Sequence, residues 1–581
     1  MVKKLDKVDV VTVGVGWTGG IVAAELTKAG YQVVGLERGE DQDTKDYYHG
    51  HDELKYTFRK EMMHDLSSDT ITHRIDLDQT ATPVRSYGSN AEGTDVGGGG
   101  VHWGAQTHRY FPYDFEIKSQ TIDKYGEDKI PKDMTLQDWG ITYDELEPYY
   151  DKVEKTMGVS GEEDPLAGKR SNPYPNKPLI KSEPMKLFEK ATKDLAYHPY
   201  MIPAAIASES YENPDGQQMN PCQYCSFCVE YGCEHDAKAS PNLTVIPAAK
   251  ETGNYEIRTH SIVKRVLYKD DKATGVLYED TRTGEEFEQP ADIVALTAFT
   301  FNNVRLLLLS EIGTPYDPKT GEGIIGKNFT NHDVSCPITV TGFFDQKFNM
   351  YANTGAHGIT IEDFNADNFD HSDVDFIHGG HIETRIMGQL PIGTNPVPKE
   401  TPAWGKEFKE KSLYYYNRAL NLVIQQAVTP WKNHYLDLDP TYKDENGDPL
   451  LRVTYDYDDN GRKMSEFLAE KAEEIAHEMG AEFVEVGNFP EHYSPSFLYQ
   501  HSAGGAIMGD APEDSAVNNY LQMWDMENLF VTGATVFPHF GPTNPTLTLG
   551  ALAYRATEGM IEYLENGGGQ LVETKAMKQN V

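Results

Sequence analysis

"VVTVGVGWTGGIVAAELTKAGYQVVGLERG", residues 10–39, alternates an apolar run, a glycine-rich turn, an amphipathic helical pattern and a second apolar run. Gly14, Gly16 and Gly19 give the turn the spacing G-x-G-x-x-G. In a dinucleotide site the first glycine allows a tight turn, the second lets the backbone approach a pyrophosphate, and the third allows close helix packing. The helix N-terminus then faces the phosphate charge. The stretch predicts a Rossmann-like unit; the alternative is a fortuitous glycine-rich turn in another α/β protein.

An acidic residue follows the motif at the distance that a dinucleotide site requires. Glu37 lies 23 residues after Gly14, where a carboxylate can hold a ribose diol, and Arg38 is a second candidate contact. The motif alone does not separate NAD from FAD. Two features favour FAD: the fold begins at the first residues, and a second glycine-rich element, "TDVGGGGVHWGAQTHRY", follows at residues 94–110. The glycines of this element that can lie against flavin or pyrophosphate are Gly97, Gly98, Gly99 and Gly100.

Length and charge exclude several classes of function. A chain of 581 residues is long enough for two or more domains. Its net charge of -39 excludes nucleic acid as a partner, because phosphate binding needs clustered Lys and Arg. The acidic surface serves solubility or could dock a basic electron-transfer protein. Because the sequence has no run of about 18 apolar residues and no signal-peptide pattern, we expect neither membrane insertion nor an export signal of its own.

The remainder of the chain predicts a mixed α/β protein. Residues 261–296 are typical of a β-meander, and residues 293–310 of a strand followed by a buried helix. Residues 462–480 predict an amphipathic helix, and residues 530–566 a strand, a loop and a long helix. The acidic segment 362–376 is expected to be a solvated loop.

Four of the five cysteines lie in "PCQYCSFCVEYGC", residues 221–233, with the spacing C-x2-C-x2-C-x4-C: Cys222, Cys225, Cys228 and Cys233. Structural zinc sites usually use two cysteine pairs that are separated by a dozen or more residues. The spacing is closer to the ferredoxin run, so we expect one iron–sulfur cluster held by three or four thiolates. Zinc, a disulfide and free thiols are the alternatives. Cys336 stands alone and is expected to be a buried small apolar side chain.

Several motifs together point to one family. The opening fingerprint, "VGGGGVHW" (96–103), "GIIGKNFTNH" (323–332), "YQHSAGGAIMGDAP" (499–512) and "VTGATVFPHFGPTNPTLTLGALAYRA" (531–556) resemble the glucose–methanol–choline (GMC) oxidoreductases over nearly the whole chain. The cysteine segment resembles the branch that contains gluconate 2-dehydrogenase flavoproteins and related FAD sugar dehydrogenases. The resemblance implies FAD and an α/β fold, in which a Rossmann-like FAD-binding domain assembled from discontinuous segments is joined to a sheet-based substrate domain.

The same resemblance implies a domain organisation. The FAD-binding domain is expected to comprise residues 1–123, residues 211–345 with the cysteine segment, and residues 489–581 with the catalytic residues. Residues 124–210 are expected to form an excursion of the substrate domain or a lid, and residues 346–488 the substrate-binding domain.

The resemblance also implies the catalytic residues. His501 stands in an H-x-x-G-G-x-x-M-G arrangement, and Asn544 matches the second member of the family's His–Asn pair. A neutral imidazole is suited to accept the substrate's hydroxyl proton, while the amide would hold the oxygen. His539 is the alternative base. His102 either packs under the flavin or bonds to it covalently, and the sequence does not decide between them. Further FAD contacts are expected at Trp103, Val263, Gly533, Ala534 and Thr546.

The most specific expectation is a dehydrogenase that oxidises a secondary alcohol of a sugar or sugar acid, such as gluconate, by hydride transfer to flavin N5. Electrons would pass through a [3Fe–4S] cluster, or alternatively a [4Fe–4S] cluster, to a cytochrome c or another one-electron acceptor. A small chaperone-like subunit with an export signal is the second expected partner, so the chain is either cytoplasmic or exported with that subunit. The alternatives are a pyranose-2-oxidase-like enzyme with a structural zinc and a non-redox lyase. Arg385, Lys432 and Arg452 are expected to be surface charges.

Overall fold

The computed structural model describes residues 2–42, 44–47, 65–67, 69–85, 92–332, 336–354, 357–386, 394–495 and 501–573. The strands, in chain order, are β1 (Lys3–Lys4), β2 (Val8–Val13), β3 (Val33–Leu36), β4 (Ile71–Arg74), β5 (Thr82–Pro83), β6 (Tyr200–Met201), β7 (Tyr211–Glu212), β8 (Gln218–Met219), β9 (Tyr255–Arg258), β10 (Ser261–Lys269), β11 (Lys272–Asp280), β12 (Glu285–Leu296), β13 (Thr330–His332), β14 (Val340–Phe343), β15 (Gly358–Ile361), β16 (Gly380–Arg385), β17 (Ala419–Gln426), β18 (Tyr435–Lys443), β19 (Pro449–Thr454), β20 (Phe483–Val486), β21 (His501–Ala503) and β22 (Leu529–Val531).

The helices, in chain order, are α1 (Trp17–Lys28), α2 (Pro112–Phe115), α3 (Ile117–Tyr125), α4 (Tyr143–Thr156), α5 (Glu183–Asp194), α6 (Val245–Glu251), α7 (Thr300–Leu309), α8 (Lys406–Tyr415), α9 (Asp459–Glu478) and α10 (Thr546–Asn566). Short 3₁₀ turns occur at Thr44–Tyr47, Gly98–Gly100, Glu127–Lys129 and Ala534–Val536. None of the described helices is both long and apolar enough to span a bilayer.

The larger sheet has eight strands and is built around the predicted Rossmann-like unit. Its order is β10–β11–β12–β2–β3–β9, and β1 and β22 also pair with β12. The strands β22, β12, β2, β3 and β9 are parallel, whereas β10, β11 and β12 form an antiparallel meander. Helix α1 packs against α6 and α10. The strands β2 and β3 are therefore almost continuously apolar, as is usual for parallel strands covered on both faces.

The second large sheet has six antiparallel strands in the order β20–β14–β17–β16–β15–β6. One face packs against α9 and α5, with Ile382 and Leu468 in the shared apolar core. Because side chains alternate along a strand, the other face of β16 presents His381, Glu383 and Arg385. This polar face is the part of the sheet that bears on function.

Strands β13 and β21 form a separate two-stranded ladder that sets a histidine pair in register. In the chain, each of the two strands lies between a strand of one large sheet and a strand of the other. Their antiparallel pairing places His332 directly opposite His501. Smaller sheets join β18, β19, β4 and β5, and β7 with β8. The domain limits stated above stay a prediction, because the assignment of strands to sheets does not by itself define domains.

The structure confirms the predicted βαβ unit, the meander and the helix that ends before Gly480, together with the strand–helix pairs at β12–α7 and β22–α10. The expectation for the acidic segment 362–376 is wrong in its first residues. Glu362 and Asn365 are fully buried, and the Glu362 carboxylate accepts hydrogen bonds from Tyr200 Oη at 3.0 Å and Asn365 Nδ2 at 2.9 Å. Six of the 15 residues are acidic, which favoured a solvated loop, but the segment also contains Phe364 and Phe376, which are buried in an apolar core.

Candidate active site

A cavity of about 960 Å³ lies where the carboxyl ends of the parallel strands meet the polar face of β16 and β17. Most of the positions expected to contact FAD line it: Gly14, Gly16, Glu37, Arg38, Gly98, Gly99, Gly100, His102, Trp103, Val263, Gly533, Ala534 and Thr546. His501 and Asn544 line the same cavity. Gly19 and Gly97 are not among its lining residues.

The three motif glycines have three different steric environments. Gly14 has a left-handed φ of 99°, which favours glycine, and turns the chain from β2 toward α1. A Cβ on Gly19 would lie 2.2 Å from the Gly14 carbonyl oxygen, so this glycine permits close packing of the helix. A Cβ on Gly16 would meet only the Gly97 oxygen, at 3.9 Å. The protein therefore leaves open space beside Gly16 on the side that faces the cavity. Close approach of a cofactor to the backbone requires such a space.

The second glycine element lies against the first. Gly97 N–H donates to the Val15 carbonyl at 2.7 Å. A Cβ on Gly99 would meet nothing within 4 Å, so this position also leaves the cavity wall open. Helix α1 begins after Gly16 without a side-chain cap, and uncapped first-turn N–H groups suit a phosphate. These residues fit a dinucleotide.

Glu37 is buried at the end of β3 and lines the cavity. Its Oε2 accepts from Val15 N–H at 3.0 Å, and its Oε1 accepts from Gly39 N–H at 3.1 Å. Burial raises the pKa of Glu37 to about 7, and the two backbone donors oppose that rise. A hydroxyl pair brought against this carboxyl would supply further donors and favour the ionised form.

The two residues expected to carry the chemistry lie side by side. Asn544 Nδ2 is 3.5 Å from His501 Nε2, although the two residues are 43 positions apart in the chain. The buried Oδ1 of Asn544 has no hydrogen-bond partner within the described residues. His539, the alternative base, does not line the cavity; its Nδ1 accepts from Trp139 Nε1–H at 3.1 Å.

A second histidine contacts His501, and the motif analysis did not single it out. His332 Nδ1 lies 2.9 Å from His501 Nδ1, and the two nearly coplanar rings lie edge to edge with centroids 5.2 Å apart. Phe540 stacks against both rings, with centroids 4.8 Å from His332 and 5.8 Å from His501. His332 is the last residue of "GIIGKNFTNH", but only the β13–β21 register reveals its contact with His501.

Electrostatics keep this histidine pair neutral. Desolvation and then the nearby positive charge of Arg385 lower the pKa of His501 to about 3. Burial and the neighbouring His501 also lower the pKa of His332 well below its ordinary value. His501 is therefore a neutral imidazole at neutral pH, which is the protonation state that a general base must have.

The expectation that Arg385 is a surface charge is wrong. Its side chain is 11% exposed, lines the cavity, and lies 3.2 Å from Glu383 through Nε and Oε1. Arg452 pairs with Asp437, with Nε and Oδ1 2.7 Å apart, and neither Arg452 nor Lys432 lines the cavity. The alternating pattern of "HIETR", residues 381–385, separates the two faces of a strand, but it does not reveal which face meets a cavity.

Within the described residues, none of the four cysteines of the predicted cluster segment forms a disulfide. In the same part of the chain that the structure describes, no three of these cysteines have sulfur atoms that all lie within 4.8 Å of one another. Thiolates on one zinc ion at about 2.3 Å would be about 3.8 Å apart. The absence of such a close trio argues against a preformed mononuclear zinc site.

The backbone of the cysteine segment has three residues in the left-handed region, Tyr224, Ser226 and Glu230, with φ of 56°, 70° and 70°. Tyr224 N–H donates to Cys222 Sγ at 3.3 Å, and hydrogen bonds to sulfur are typical of iron–sulfur sites. Burial raises the pKa of Cys222 to about 12, and metal cations would reverse that shift. The four thiols and this backbone donor fit an iron–sulfur cluster.

The cysteine segment touches the cofactor cavity directly. Val229 and Glu230 line that cavity, and Glu230 N–H donates to the His102 carbonyl at 2.8 Å. The buried ammonium of Lys238 donates to the carbonyls of Trp103, Cys228 and Tyr231 at 2.8, 2.7 and 2.7 Å. The second glycine element and the cysteine segment are thus joined by short polar contacts.

Comparison with known proteins identifies relatives over the whole chain. Family models described as GMC oxidoreductase match residues 133–334 and 433–553. The gluconate 2-dehydrogenase flavoprotein of Pantoea cypripedii is 41% identical, covering 97% of this chain and 95% of that protein. The 2-methyl-1,2-propanediol dehydrogenase of Mycolicibacterium austroafricanum is 28% identical over 100% and 99%. The fructose dehydrogenase large subunit of Gluconobacter japonicus is 26% identical over 81% of each.

A solved structure shows the same fold. Pyridoxine 4-oxidase from Mesorbium loti superimposes with a TM-score of 0.60, covering 96% of this chain and 99% of that chain, at 16% identity. At this identity the likeness concerns the fold alone.

The contrast between Gly16 and Gly19 gives a test of the cofactor cradle. We expect Gly16→Ala to weaken FAD binding at least about tenfold, because its methyl group enters the cavity, while the free energy of unfolding of the apoprotein does not fall. Gly19→Ala should lower that free energy by about 1–3 kcal/mol, since its methyl group overlaps backbone. Fluorescence titration with FAD and urea unfolding of the apoprotein measure both. Equal losses of stability in the two variants would contradict this assignment.

Proposed function

The chain belongs to the GMC oxidoreductase family, and from this premise we propose that it oxidises a secondary alcohol of a sugar acid, gluconate or a close analogue. The enzyme is an FAD-dependent oxidoreductase acting on CH–OH groups. The observation that carries the finer proposal is that the His501–Asn544 pair and the largely buried Arg385 line one cavity. Bound FAD would supply the acceptor for the hydride that leaves the substrate carbon.

We assign the proton transfer to His501 Nε2. For this nitrogen to accept a proton, the ring proton of His501 must lie on Nδ1, and His332 Nδ1 can accept it at 2.9 Å. His332 is thus a positioning residue that fixes the tautomer. Asn544 would donate its amide N–H to the substrate oxygen and hold the hydroxyl near Nε2.

The long helix α10 also contributes to the site. It begins at Thr546, which lines the cavity, and runs for 21 residues. The partial positive charge of its N-terminus favours negative charge that develops nearby during the reaction. Gly533 and Ala534 bring backbone to the same wall.

We propose that Arg385 selects an anionic substrate. Its guanidinium lines the cavity that contains His501, and its charge is felt at His501. A carboxylate can accept paired hydrogen bonds from a guanidinium, which a neutral sugar cannot match in charge. The name of the Pantoea relative, a gluconate 2-dehydrogenase flavoprotein, agrees with such a substrate.

We propose that the four-cysteine segment holds one iron–sulfur cluster, a [3Fe–4S] cluster in preference to a [4Fe–4S] cluster. Such a group carries single electrons, which suits a dehydrogenase that serves a cytochrome or another one-electron acceptor. Supporting features are the close spacing of the four cysteines in the sequence, the Tyr224 N–H that donates to Cys222 Sγ, and the position of Glu230 in the wall of the cofactor cavity. The sulfur spacing weighs against the alternative, an oxidase that uses O2 and carries structural zinc.

We further propose that the chain works as the large subunit of a complex with a small subunit and a cytochrome c. A relative whose name calls it a large subunit supports this assembly. The net charge of -39 would favour docking of a basic electron-transfer surface. Export with a signal-bearing small subunit and residence in the cytoplasm both remain compatible with the sequence.

The low pKa of His501 predicts an unusual pH dependence. Because its pKa is lowered to about 3, the neutral imidazole persists as the pH falls, and flavin reduction by gluconate should change less than about twofold between pH 8 and pH 5. Anaerobic stopped-flow bleaching of the flavin measures this rate. His501→Asn should slow it by about 10²–10⁴-fold with FAD content unchanged.

An acidic limb centred near about 6.5 would contradict the lowered pKa of His501. A flavin that no sugar or sugar acid bleaches would contradict the proposed function and favour the non-redox lyase. His539→Asn is the matched control, since His539 lies outside the cavity and should leave the bleaching rate within about threefold.

Arg385→Gln tests the anionic substrate. We expect KM for gluconate to rise about 10–100-fold, because a hydrogen bond to a charged group contributes about 1.5–3 kcal/mol. The KM for a neutral sugar such as glucose should change little. Arg452→Gln is the control, because its guanidinium pairs with Asp437 outside the cavity. Equal changes for acid and neutral substrates would contradict a carboxylate contact.

Cys225→Ser tests the cluster. We expect iron to fall from three or four atoms per chain to a small fraction, while gluconate still bleaches the flavin, because the cysteine segment lies beside the cofactor cavity rather than at His501. Reduction of cytochrome c should be lost. Iron analysis and electron paramagnetic resonance measure the cluster, and Cys336→Ala should retain the iron. Stoichiometric zinc in the wild-type cysteine segment would overturn the proposal.

A further inference from the structure

A group of potential metal ligands is buried beyond the end of the cofactor cavity. His108, His381 and Glu383 have ligand atoms that all lie within 4.8 Å of one another, and the three residues are at most 3% exposed. His381 and Glu383 alternate on β16 and therefore share one face. His108 comes from the segment that follows the second glycine element, so two distant parts of the chain build the group.

The histidines of this group have nitrogen atoms that the protein does not satisfy. Neither ring nitrogen of His381 has a hydrogen-bond partner within the described residues, and neither does Nε2 of His108. Leaving a buried polar atom unpaired is unfavourable. The two rings stack with centroids 5.2 Å apart and an angle of 20° between their planes. A metal ion between these side chains would accept the lone pair that each neutral ring carries.

The distances between the ligand atoms suit a shared metal ion better than hydrogen bonds. His381 Nε2 lies 3.7 Å from Glu383 Oε2, which is too long for a hydrogen bond. Two ligands at about 2.1 Å from one tetrahedral metal ion are about 3.4 Å apart. Small shifts of the two side chains would close the coordination.

An outer partner orients one of the two rings as a metal-binding histidine requires. Tyr200 Oη donates to Glu362 Oε1 at 3.0 Å, so it accepts from His108 Nδ1–H at 3.2 Å, which leaves a lone pair on His108 Nε2. Gln106 Nε2 donates to Glu383 Oε2 at 3.0 Å and so fixes the carboxylate. Hydrogen bonds behind the ligating groups are typical of metal sites.

We propose that His108, His381 and Glu383 form a binding site for a divalent first-row transition metal ion, for which Zn²⁺ is the probe. The ion would be attracted by the buried carboxylate of Glu383, whose pKa is lowered. It would tie β16 to the segment that carries His108. Through Glu383 it would also hold Arg385, whose Nε lies 3.2 Å from Glu383 Oε1. The site is separate from the cysteine segment and does not depend on the proposed substrate.

A neighbouring group of similar composition supplies a contrast. Asp114, His378 and His539 also lie close together, but His378 Nε2–H donates to Asp114 Oδ1 at 2.7 Å. The other ring nitrogen, Nδ1, accepts from Gly379 N–H at 2.8 Å. His539 Nδ1 accepts from Trp139 Nε1–H. These hydrogen bonds use the lone pairs, so this second group is a polar network within the protein and provides a control.

The experiment measures Zn²⁺ retained by the iron- and FAD-loaded enzyme. The holoenzyme is treated with a chelator, loaded with Zn²⁺, desalted and analysed by mass spectrometry for metals. We expect one Zn²⁺ per chain in the wild type and in His539→Gln, and less than about one tenth of that in His381→Gln. Glu383→Gln, which preserves shape, should also lose the ion and guards against misfolding of the histidine variant.

A second readout excludes binding by cysteine. Co²⁺ loaded in place of Zn²⁺ should give weak d–d absorption bands in the wild type without the intense thiolate charge-transfer band that cysteine ligands produce. A wild type that retains no Zn²⁺, or His381→Gln and Glu383→Gln proteins that retain as much as the wild type, would overturn the proposal. A thiolate charge-transfer band that accounts for all bound Co²⁺ would also overturn it.

Discussion

The parallel pairing of β2 with β12 is the constraint on which the site depends. Residues Val10–Val13 lie in register with Ile293–Leu296, and β22 adds to the other side of β12. Carboxyl ends of parallel strands meet at one edge, so the turns after these strands converge there. Thr297 links two of the turns, because its hydroxyl donates to the Gly14 carbonyl at 2.7 Å. Segments that are hundreds of residues apart thereby form one cofactor wall.

The opposite wall is polar, and its chemistry follows from burial rather than from surface charge. Arg385, on one face of β16, lines the cavity that contains His501, while the other face of the strand packs in an apolar core. Desolvation keeps the histidines neutral, and the Arg385 guanidinium reinforces that effect at His501. A neutral imidazole and a guanidinium therefore coexist in one cavity, as the roles proposed for them require. A surface histidine would titrate near about 6.5 and would be partly protonated at neutral pH.

The sequence predicted those features whose cause is local. The glycine spacing, the helix that ends before Gly480 and the meander depend on neighbours within a few residues, and each is found as expected. His332 could not be predicted, because its contact with His501 joins positions 169 residues apart and exists only through the β13–β21 register. The burial of Glu362 and the placement of Arg385 were missed for the same reason. Alternation along a strand separates two faces, but only tertiary packing decides which face lines a cavity.

The buried ammonium of Lys238 joins the cysteine segment to the wall of the cofactor cavity. Lys238 places its ammonium group under the carbonyls of Trp103, Cys228 and Tyr231, and the three donors of the ammonium are all used. Desolvation lowers its pKa to about 8, and the nearby cysteines oppose that shift, so thiolates in the segment would stabilise the charged form. A fixed cation favours the more negative state of a neighbouring redox group and so raises its reduction potential. Because the same ammonium also holds the backbone of Trp103, which lines the FAD cavity, its position couples the geometry of the cofactor wall to the electrostatics of the cysteine segment.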